Sequence, residues 1–212
     1  MNPTQHPIVF RDRSDAARRL AARLQAYRGQ RPLVLAIPRG ALPMAHALAT
    51  VLQGDLDVVL VRKLGAPHEP EFAIGAIDES GWTYLAPQAQ AAGTAYVEAE
   101  KQRQLALIRR RRVQYTPLRP PLDPAGRIVI VVDDGLATGA TMLAALHSLR
   151  QRQPARLICA VPVASQEALA RVRGQADEVV CLQAPAGFQA VGQFYLDFTQ
   201  VEDDEVIALL KP

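Results

Sequence analysis

The sequence predicts an α/β fold: a doubly wound, mostly parallel five-stranded sheet with helices on both faces. Three observations lead to this prediction. Five short aliphatic runs, rich in β-branched residues, have the character of buried parallel strands. Between most of these runs, apolar residues recur at helical spacing. The chain has 212 residues and is 49% hydrophobic, which suits one domain with a single core.

Strands and helices alternate along most of the chain. The predicted strands are Leu33–Ile37, Asp57–Val61, Ile128–Val132, Leu157–Val163 and Glu178–Leu182. The predicted helices contain Ala17–Leu24 before the first strand, Leu42–Leu52 after it, Met142–Leu149 after the third strand and Ala168–Val172 between the last two strands. This order is typical of right-handed βαβ units, in which each helix packs on the sheet.

Residues 62–127 interrupt this alternation. Residues 62–71 are rich in Gly, Pro and charged residues, so we expect a mobile loop there. We then expect a hairpin of 73–77 and 82–85, a long charged helix over Thr94–Val113, and a proline-rich linker over 117–124. The tail after Gln183 is interpreted as irregular, closing with the acidic segment Glu202–Glu205.

The positive charge is concentrated in one segment. The net charge is +3, yet residues 101–112 alone hold six basic residues and no acidic one. The rest of the chain is therefore slightly acidic, whereas a protein that coats nucleic acid spreads its basic residues widely. Nucleic acid is not the expected partner, although the run Arg109–Arg112 keeps RNA binding open as an alternative.

Several other classes are disfavoured. No apolar run approaches the roughly 20 residues that span a bilayer. The segment Met1–Arg13 lacks a signal-peptide pattern, so we expect a cytoplasmic protein with no membrane partner. Two cysteines, and four histidines without i, i+4 pairing, do not indicate a zinc site.

The segment that carries chemistry follows the third predicted strand. It is Asp133–Thr141 (DDGLATGAT), and a helix comes next. Ligands bind at the carboxyl ends of parallel strands, and two adjacent carboxylates there can accept hydrogen bonds from vicinal hydroxyls, bind a cation, or do both. The Gly- and Thr-rich turn at a helix start offers unpaired backbone N–H groups and hydroxyls to an anion. Together these features have the shape of a ribose 5-phosphate site.

Other phosphate and hydrolase motifs are absent from the sequence. There is no Walker phosphate loop, no Gly-x-Gly-x-x-Gly pattern at this strand and no Gly-x-Ser-x-Gly elbow. A P-loop nucleotidase, a dinucleotide-binding oxidoreductase and a serine hydrolase of the α/β type are therefore not predicted.

The run Val131–Thr141 (VVDDGLATGAT) resembles the signature of type I phosphoribosyltransferases, most closely the adenine-type version. These enzymes bind 5-phosphoribosyl-1-pyrophosphate (PRPP), and the resemblance extends over about residues 32–200. It implies that Asp133 and Asp134 hold the ribose hydroxyls, with Asp134 also taking part in catalysis. It further implies that the 5′-phosphate is bound by Ala137, Thr138, Gly139, Ala140 and Thr141.

The resemblance also assigns two other loops. Pro38-Arg39-Gly40 lies where the family has its pyrophosphate loop, so Arg39 and Gly40 are expected to bind pyrophosphate. Relatives often carry a strained or cis peptide in this loop, and we expect one near Arg39. Arg62 and Lys63 open the segment that is similar to the family's flexible catalytic loop, so they are expected to balance charge on the leaving pyrophosphate.

The tail corresponds to the family's hood, which selects the base. Phe188 is expected to stack on a planar base, and Asp197 is the second expected base-binding residue. The predicted organisation is one domain over 1–212, with a core at about 32–182, an insertion carrying the flexible loop and hairpin at 62–115, and the hood at about 183–200.

The activity implied by the resemblance is transfer of the phosphoribosyl group to a nucleobase-like acceptor with release of pyrophosphate. Mg²⁺ is implied as the cofactor, held mostly by substrate oxygens with help from Asp133 or Asp134. A homodimer is expected, with the helix 94–113 as its interface. Hypoxanthine-guanine members carry an Asp at the position of Ala137, so a 6-oxopurine acceptor is not expected here. The alternative is a regulator of this fold that senses PRPP or nucleotides and binds RNA.

Overall fold

The structure, a computed structural model, describes residues 7–115 and 121–211, apart from the side chain of Glu71. In chain order its elements are α1 Arg13–Arg23, β1 Leu33–Ala36, α2 Leu42–Leu52, β2 Asp55–Val58, β3 Val61–Ala66, β4 Glu69–Asp78, β5 Thr83–Leu85, α3 Ala89–Ala92, α4 Thr94–Tyr115, β6 Ile128–Val132, α5 Ala140–Arg150, β7 Arg156–Val163, α6 Gln166–Arg173, β8 Glu178–Gln183 and α7 Asp203–Leu210.

The main sheet has the order β2-β1-β6-β7-β8, and every neighbouring pair is parallel. The chain moves outward from β1 to β2 on one side, then returns and moves outward from β6 to β8 on the other. The order therefore reverses between β1 and β6, and ligands of such sheets bind outside the strand ends at this switch point. The predicted fold class is confirmed.

Alternate residues of the strands face two separate helical layers. One face presents Val34, Ala36, Ile130 and Val132 to a core shared with α1, α2 and α7. The other presents Leu35, Val129, Val131 and Cys159 to a core shared with α5 and α6. Both faces are buried, which explains why the strands are near-continuous apolar runs.

The segment predicted as a mobile loop forms a hairpin instead. Strands β3 and β4 pair antiparallel, with Val61 opposite Asp78 and Lys63 opposite Ala76, and β5 extends this second sheet. The loop prediction depended on Pro67 and Pro70. Pro67 lies at the turn between the strands, and Pro70 lies where the pairing of β3 with β4 shifts register near Gly65. Apolar positions such as Leu64 and Ile74 are buried, so the hairpin is held by its inner face.

Two further boundaries differ from expectation. The second strand ends at Val58, and Val61 begins the hairpin. The acidic tail is not irregular, because Asp203–Leu210 forms helix α7 with three acidic residues in its first turn and buries Val206 and Leu210. Acidic groups stabilise a helix N-terminus, so the acidic segment of the tail is a helix signal. The long helix, the hairpin of β4 with β5, and the other predicted helices are confirmed.

The N-terminal segment pairs with the hood. Phe10 forms a parallel bridge with Tyr195. The Phe10 N–H donates to the Phe194 carbonyl at 2.8 Å, and the Leu196 N–H donates back to the Phe10 carbonyl at 2.9 Å. This pairing fixes the hood beside the start of α1. No helix in the described part of the chain is both long and apolar enough to cross a membrane.

Candidate functional site

A cavity of about 1000 Å³ opens at the switch point, at the carboxyl ends of β1 and β6. Its walls come from the loops after these two strands, from the hairpin, from α4 and from the segment before α7. The predicted site residues that line it are Arg39, Gly40, Arg62, Lys63, Asp133, Asp134 and Ala137 to Thr141. Three segments that are distant in the sequence therefore converge where the topology predicts a ligand.

Asp133 and Asp134 stand at the tip of β6. The Asp134 backbone N–H donates to Asp133 Oδ1 at 2.9 Å. The Asp134 side chain is held by Arg13, whose Nε and Nη2 donate to Asp134 Oδ2 at 3.0 and 2.8 Å. The Asp134 carbonyl accepts a hydrogen bond of 2.7 Å from the hydroxyl of Tyr195. The pair is thus fixed by residues of α1 and the hood that are far from it in sequence.

Burial perturbs both carboxyl groups. Burial, together with the neighbouring charge of Asp134, raises the pKa of Asp133 well above its ordinary value. Burial also raises the pKa of Asp134, while the charge and hydrogen bonds of Arg13 act in the opposite direction. Two desolvated carboxyls side by side are unfavourable for the empty protein, and such perturbed groups in a cleft are typical of a functional site.

The turn before α5 presents backbone N–H groups to the cavity. The Ala137 carbonyl accepts from Ser165 Oγ at 2.7 Å, and the Thr138 carbonyl accepts from Arg171 at 3.5 Å. In a trans peptide the N–H points opposite to the carbonyl, so the N–H groups of Thr138 and Gly139 point away from α6. Among the described residues these two N–H groups have no acceptor. Gly139 has φ +76°, and the α5 dipole adds to the attraction for an anion.

The loop after β1 contains the expected cis peptide, between Pro38 and Arg39. Gly40 packs tightly against the acidic pair: a Cβ at this position would lie 2.2 Å from Asp134 Oδ2. Arg39 lines the cavity, and its guanidinium also lies 3.3 Å from Glu202 and 3.8 Å from Asp203 at the start of α7. In this loop the Gly40 backbone therefore lies directly against Asp134, and the Arg39 guanidinium is paired with the acidic residues at the start of α7.

Arg62 and Lys63 lie in β3 on the opposite wall, and sequence reasoning missed the residues that organise them. Gln104 accepts from Arg62 Nε and donates to Glu100 Oε1 at 2.7 Å. Glu100 is buried, and burial together with Arg111 lowers the pKa of Arg62. Glu100, Gln104 and Arg111 recur at intervals of four and seven, which places them on one face of α4. That spacing is the signal that could have identified them.

The two predicted base-binding residues do not line the cavity. Phe188 stacks on Phe194 with ring centroids 5.5 Å apart and packs against the core. The Asp197 carboxylate accepts from the backbone N–H and hydroxyl of Thr199 at the surface. The hood residues at the cavity are instead Val191, Phe198 and Gln200. The local sequence shows an aromatic-rich hood but not which of its rings faces inward.

Arg13 is the site residue with no local signal. It lies in the first turn of α1, lines the cavity, and is 121 positions from the carboxylate that it binds. Its Nη1 donates to the Thr199 carbonyl at 2.7 Å, and its guanidinium lies 4.0 Å above the Phe198 ring. Only the tertiary structure brings α1, the acidic pair and the hood together.

The arginine run of α4 does not form a continuous basic surface. Arg109 and Arg110 are exposed, but Arg111 lines the cavity. Arg112 binds both carboxylate oxygens of Glu79, at 2.9 and 2.7 Å. Only two of the four arginines are thus exposed on the outer surface, since Arg111 faces the cavity and Arg112 is bound by Glu79, which weakens the case for RNA binding.

The chain matches a family model described as the phosphoribosyl transferase domain over residues 10–199. Two curated Mycobacterium tuberculosis proteins, from strains CDC 1551 and H37Rv and provisionally named phosphoribosyl transferases, are 45% identical over 206 residues. These matches cover 95% of this chain and 46% of each relative, so the chain spans about half the length of these proteins.

A similar solved structure is the crystal structure of the protein TT1426 from Thermus thermophilus. It is 47% identical, with a TM-score of 0.81, and the match covers 96% of this chain and 98% of that one. A shorter match is the adenine phosphoribosyltransferase of Rhodospirillum centenum, 33% identical over 95 residues, or 40% of this chain and 53% of that protein. The solved structure supports the architecture across almost the whole chain.

Proposed function

Because the chain belongs to the phosphoribosyl transferase family, we propose that it transfers the 5-phosphoribosyl group of PRPP to a nucleobase-like acceptor, as in nucleotide salvage. The C1–O bond to pyrophosphate breaks, a C1–N bond to the acceptor forms, and the acceptor loses a proton. The observation that carries this proposal is the convergence of the acidic pair, the α5 turn and the Arg39–Gly40 loop on one cavity.

The proposed division of labour follows the cavity walls. Ribose hydroxyls donate to Asp133 and Asp134, which provides the hydrogen-bond partners that the desolvated pair needs. The outward N–H groups of Thr138 and Gly139 bind the 5′-phosphate. The sugar is then fixed at both ends, and its C1 faces the rest of the cavity.

Charge stabilisation is the second task. Glycosyl transfer of this kind passes through an oxocarbenium-like state while the leaving group gains negative charge. Arg39, Arg62 and Lys63 line the cavity and supply cations for that charge. Arg62 is held by Gln104, so its guanidinium is oriented before the substrate arrives.

Mg²⁺ fits the donor set as an ion carried by the substrate. In the described residues no group of three or more His, Cys, Asp or Glu side chains could hold a metal. The acidic pair does supply hard oxygen donors, and Mg²⁺ is commonly bound by one or two carboxylates plus phosphate oxygens. Bound in this way, Mg²⁺ would neutralise part of the pyrophosphate charge, with Asp133 and Asp134 as its protein donors.

Isothermal titration with PRPP and Mg²⁺ tests the binding half of the proposal. We expect the wild-type protein to bind and the Asp133→Asn/Asp134→Asn variant to lose at least about tenfold in affinity, since buried acceptors for the ribose hydroxyls are altered. Asp123→Asn, a surface acid paired with Arg152, is the control. Equal affinity of the wild type and the double variant would contradict the proposal.

The acceptor is tested separately, by measuring pyrophosphate release with a panel of nucleobases in the presence of PRPP and Mg²⁺. We expect adenine or another base without a 6-oxo group to be preferred, since position 137 is alanine.

We also propose a homodimer formed through α4, whose Leu107 and Val113 are exposed. Sedimentation equilibrium of wild type and Val113→Glu tests this, with a shift toward monomer expected in the variant.

A further inference from the structure

We propose that Arg13 is a positioning residue, which holds the Asp134 carboxylate for the ribose and couples it to the hood. This inference rests on the proposed function for the identity of the ligand. The contact itself is independent of any ligand, because it is made within the protein.

The geometry uses all three nitrogens of the guanidinium. Nε and Nη2 both donate to one oxygen of Asp134, Oδ2, so Arg13 leaves the other carboxylate oxygen to a ligand. Nη1 donates to the Thr199 carbonyl. The planar fork of arginine can make these bonds together, which a lysine ammonium cannot reproduce.

The contacts form a closed circuit around Asp134. The Arg13 guanidinium covers the Phe198 ring at 4.0 Å, and that ring stacks on Tyr195 with centroids 4.9 Å apart. Tyr195 in turn donates to the backbone carbonyl of Asp134. The side chain of Asp134 is therefore bound by Arg13 of α1, and its backbone carbonyl is bound by Tyr195 of the hood. Arg13 and Tyr195 are linked in turn through the ring of Phe198.

The position of the pair indicates a role beyond fold stability. The side chains of Arg13 and Asp134 are only 12% and 16% exposed, and a buried ion pair is weak evidence of net stabilisation. The pair lies on the cavity wall against Gly40, where a Cβ would be 3.2 Å from Arg13 Nη2. It thus stands where the proposed ribose and pyrophosphate subsites meet. The guanidinium fixes the orientation of the Asp134 carboxylate at this point, and that orientation decides where a hydroxyl can donate to it.

The test compares Arg13→Met, Arg13→Lys and the wild type in two measurements at one pH. The first is ¹⁹F NMR of protein labelled with 3-fluorotyrosine, with the Tyr195 signal assigned from Tyr195→Phe. The second is PRPP and Mg²⁺ affinity, measured for each Arg13 variant alone and combined with Tyr195→Phe. Arg18→Met is the matched control, since Arg18 lies on the same helix and pairs with Asp15 at the surface. Arg13→Gln, which keeps a donor without the charge, replaces Arg13→Met if the latter does not fold.

We expect Arg13→Met to shift the Tyr195 signal and to lose at least about tenfold in PRPP affinity, and Arg18→Met to do neither. Arg13→Lys keeps the charge but not the planar fork, so it should lose nearly as much affinity as Arg13→Met. Because Arg13 and Tyr195 hold the same residue, the variant that combines Arg13→Met with Tyr195→Phe should lose less affinity than the two single losses add up to. A residue that only supported the fold would give additive losses.

The two hypotheses fail in different ways. If Arg13→Met, or Arg13→Gln in its place, folds and leaves the Tyr195 signal as in the wild type, the role of Arg13 is overturned, whatever PRPP does. If the wild type binds no PRPP while the Arg13 variants shift the Tyr195 signal as expected, the proposed function fails and the coupling of Arg13 to the hood stands.

Discussion

A single methyl group added at Gly40 should disable the site, although no charged residue is replaced. In Gly40→Ala the new Cβ would lie 2.2 Å from Asp134 Oδ2, 3.1 Å from Asp134 Cγ and 3.2 Å from Arg13 Nη2. Ordinary van der Waals contact begins near 3.4 Å, so the carboxylate must retreat by more than an ångström. The φ of Gly40 is outside the left-handed range, so the substitution adds crowding and not backbone strain.

The expected magnitude follows from this displacement. A misplacement of about 1 Å at a reacting or binding group costs on the order of 100-fold. We therefore expect PRPP affinity to fall about 100-fold, which corresponds to about 2.7 kcal/mol. Overpacking of a tight contact costs roughly 1–3 kcal/mol in the free energy of unfolding, so the variant should still fold.

Isothermal titration with PRPP and Mg²⁺ measures the affinity, and urea denaturation measures stability. Gly174→Ala is the matched control, because Gly174 has φ −85° and a Cβ there meets nothing within 4 Å. The control should bind PRPP within twofold of wild type. Wild-type affinity in Gly40→Ala would show that the Asp134 carboxylate does not hold the sugar, and the site assignment would have to be abandoned.

Three other substitutions follow from the same contacts. Asp133→Asn should raise the melting temperature above pH 7, by about 2–4 °C for each kcal/mol gained, and weaken PRPP binding by about tenfold. Burial and Asp134 raise the pKa of Asp133 in the fold, so its contribution to stability is full at low pH and lost as pH rises through that pKa. Scanning calorimetry should accordingly find this gain shrinking toward pH 4, and an equal gain at both pH values would contradict the reasoning. Tyr195→Phe removes the hydrogen bond to the Asp134 carbonyl and should cost about 1–3 kcal/mol in urea denaturation, whereas Tyr84→Phe, outside the circuit, should cost less. Glu202→Gln releases Arg39 from its ion pair and should tighten the binding of inorganic pyrophosphate. The gain should be at most about fivefold, since an exposed ion pair is worth at most about 1 kcal/mol. Unchanged affinity in isothermal titration would show that Arg39 does not reach pyrophosphate.

The core of the fold was predictable because its signals are local. Strands β1 and β6 are buried on both faces, so they show uninterrupted aliphatic runs, and α2 carries an apolar stripe with Pro43 at its start. The hairpin of β3 and β4 was missed because its pairing depends on Leu64 and Ile74 meeting the core, while Pro67 and Pro70 dominate its composition. Helix α7 was missed because it is short, and its acidic first turn was not interpreted as a sign of a helix start.

The candidate site also has one part with a local sequence signal and one part that depends on tertiary contacts. Its phosphoribosyl half is one continuous strand, loop and helix, Ile128–Arg150, so nine consecutive residues from Asp133 carry most of its chemistry. The remaining wall is assembled from Arg13 of α1, Phe72 of the hairpin, and Val191 and Phe198 of the hood. These segments are far apart in sequence. Arg13 and Val191 contact the β6–α5 loop at Asp134 and Gly135, whereas Phe72 lies on the hairpin and is 47% exposed. Acceptor choice is therefore expected to change at positions such as Phe72, which do not support the sugar site. Phe72→Ala should alter acceptor preference in the pyrophosphate-release assay and leave PRPP affinity within about threefold of wild type.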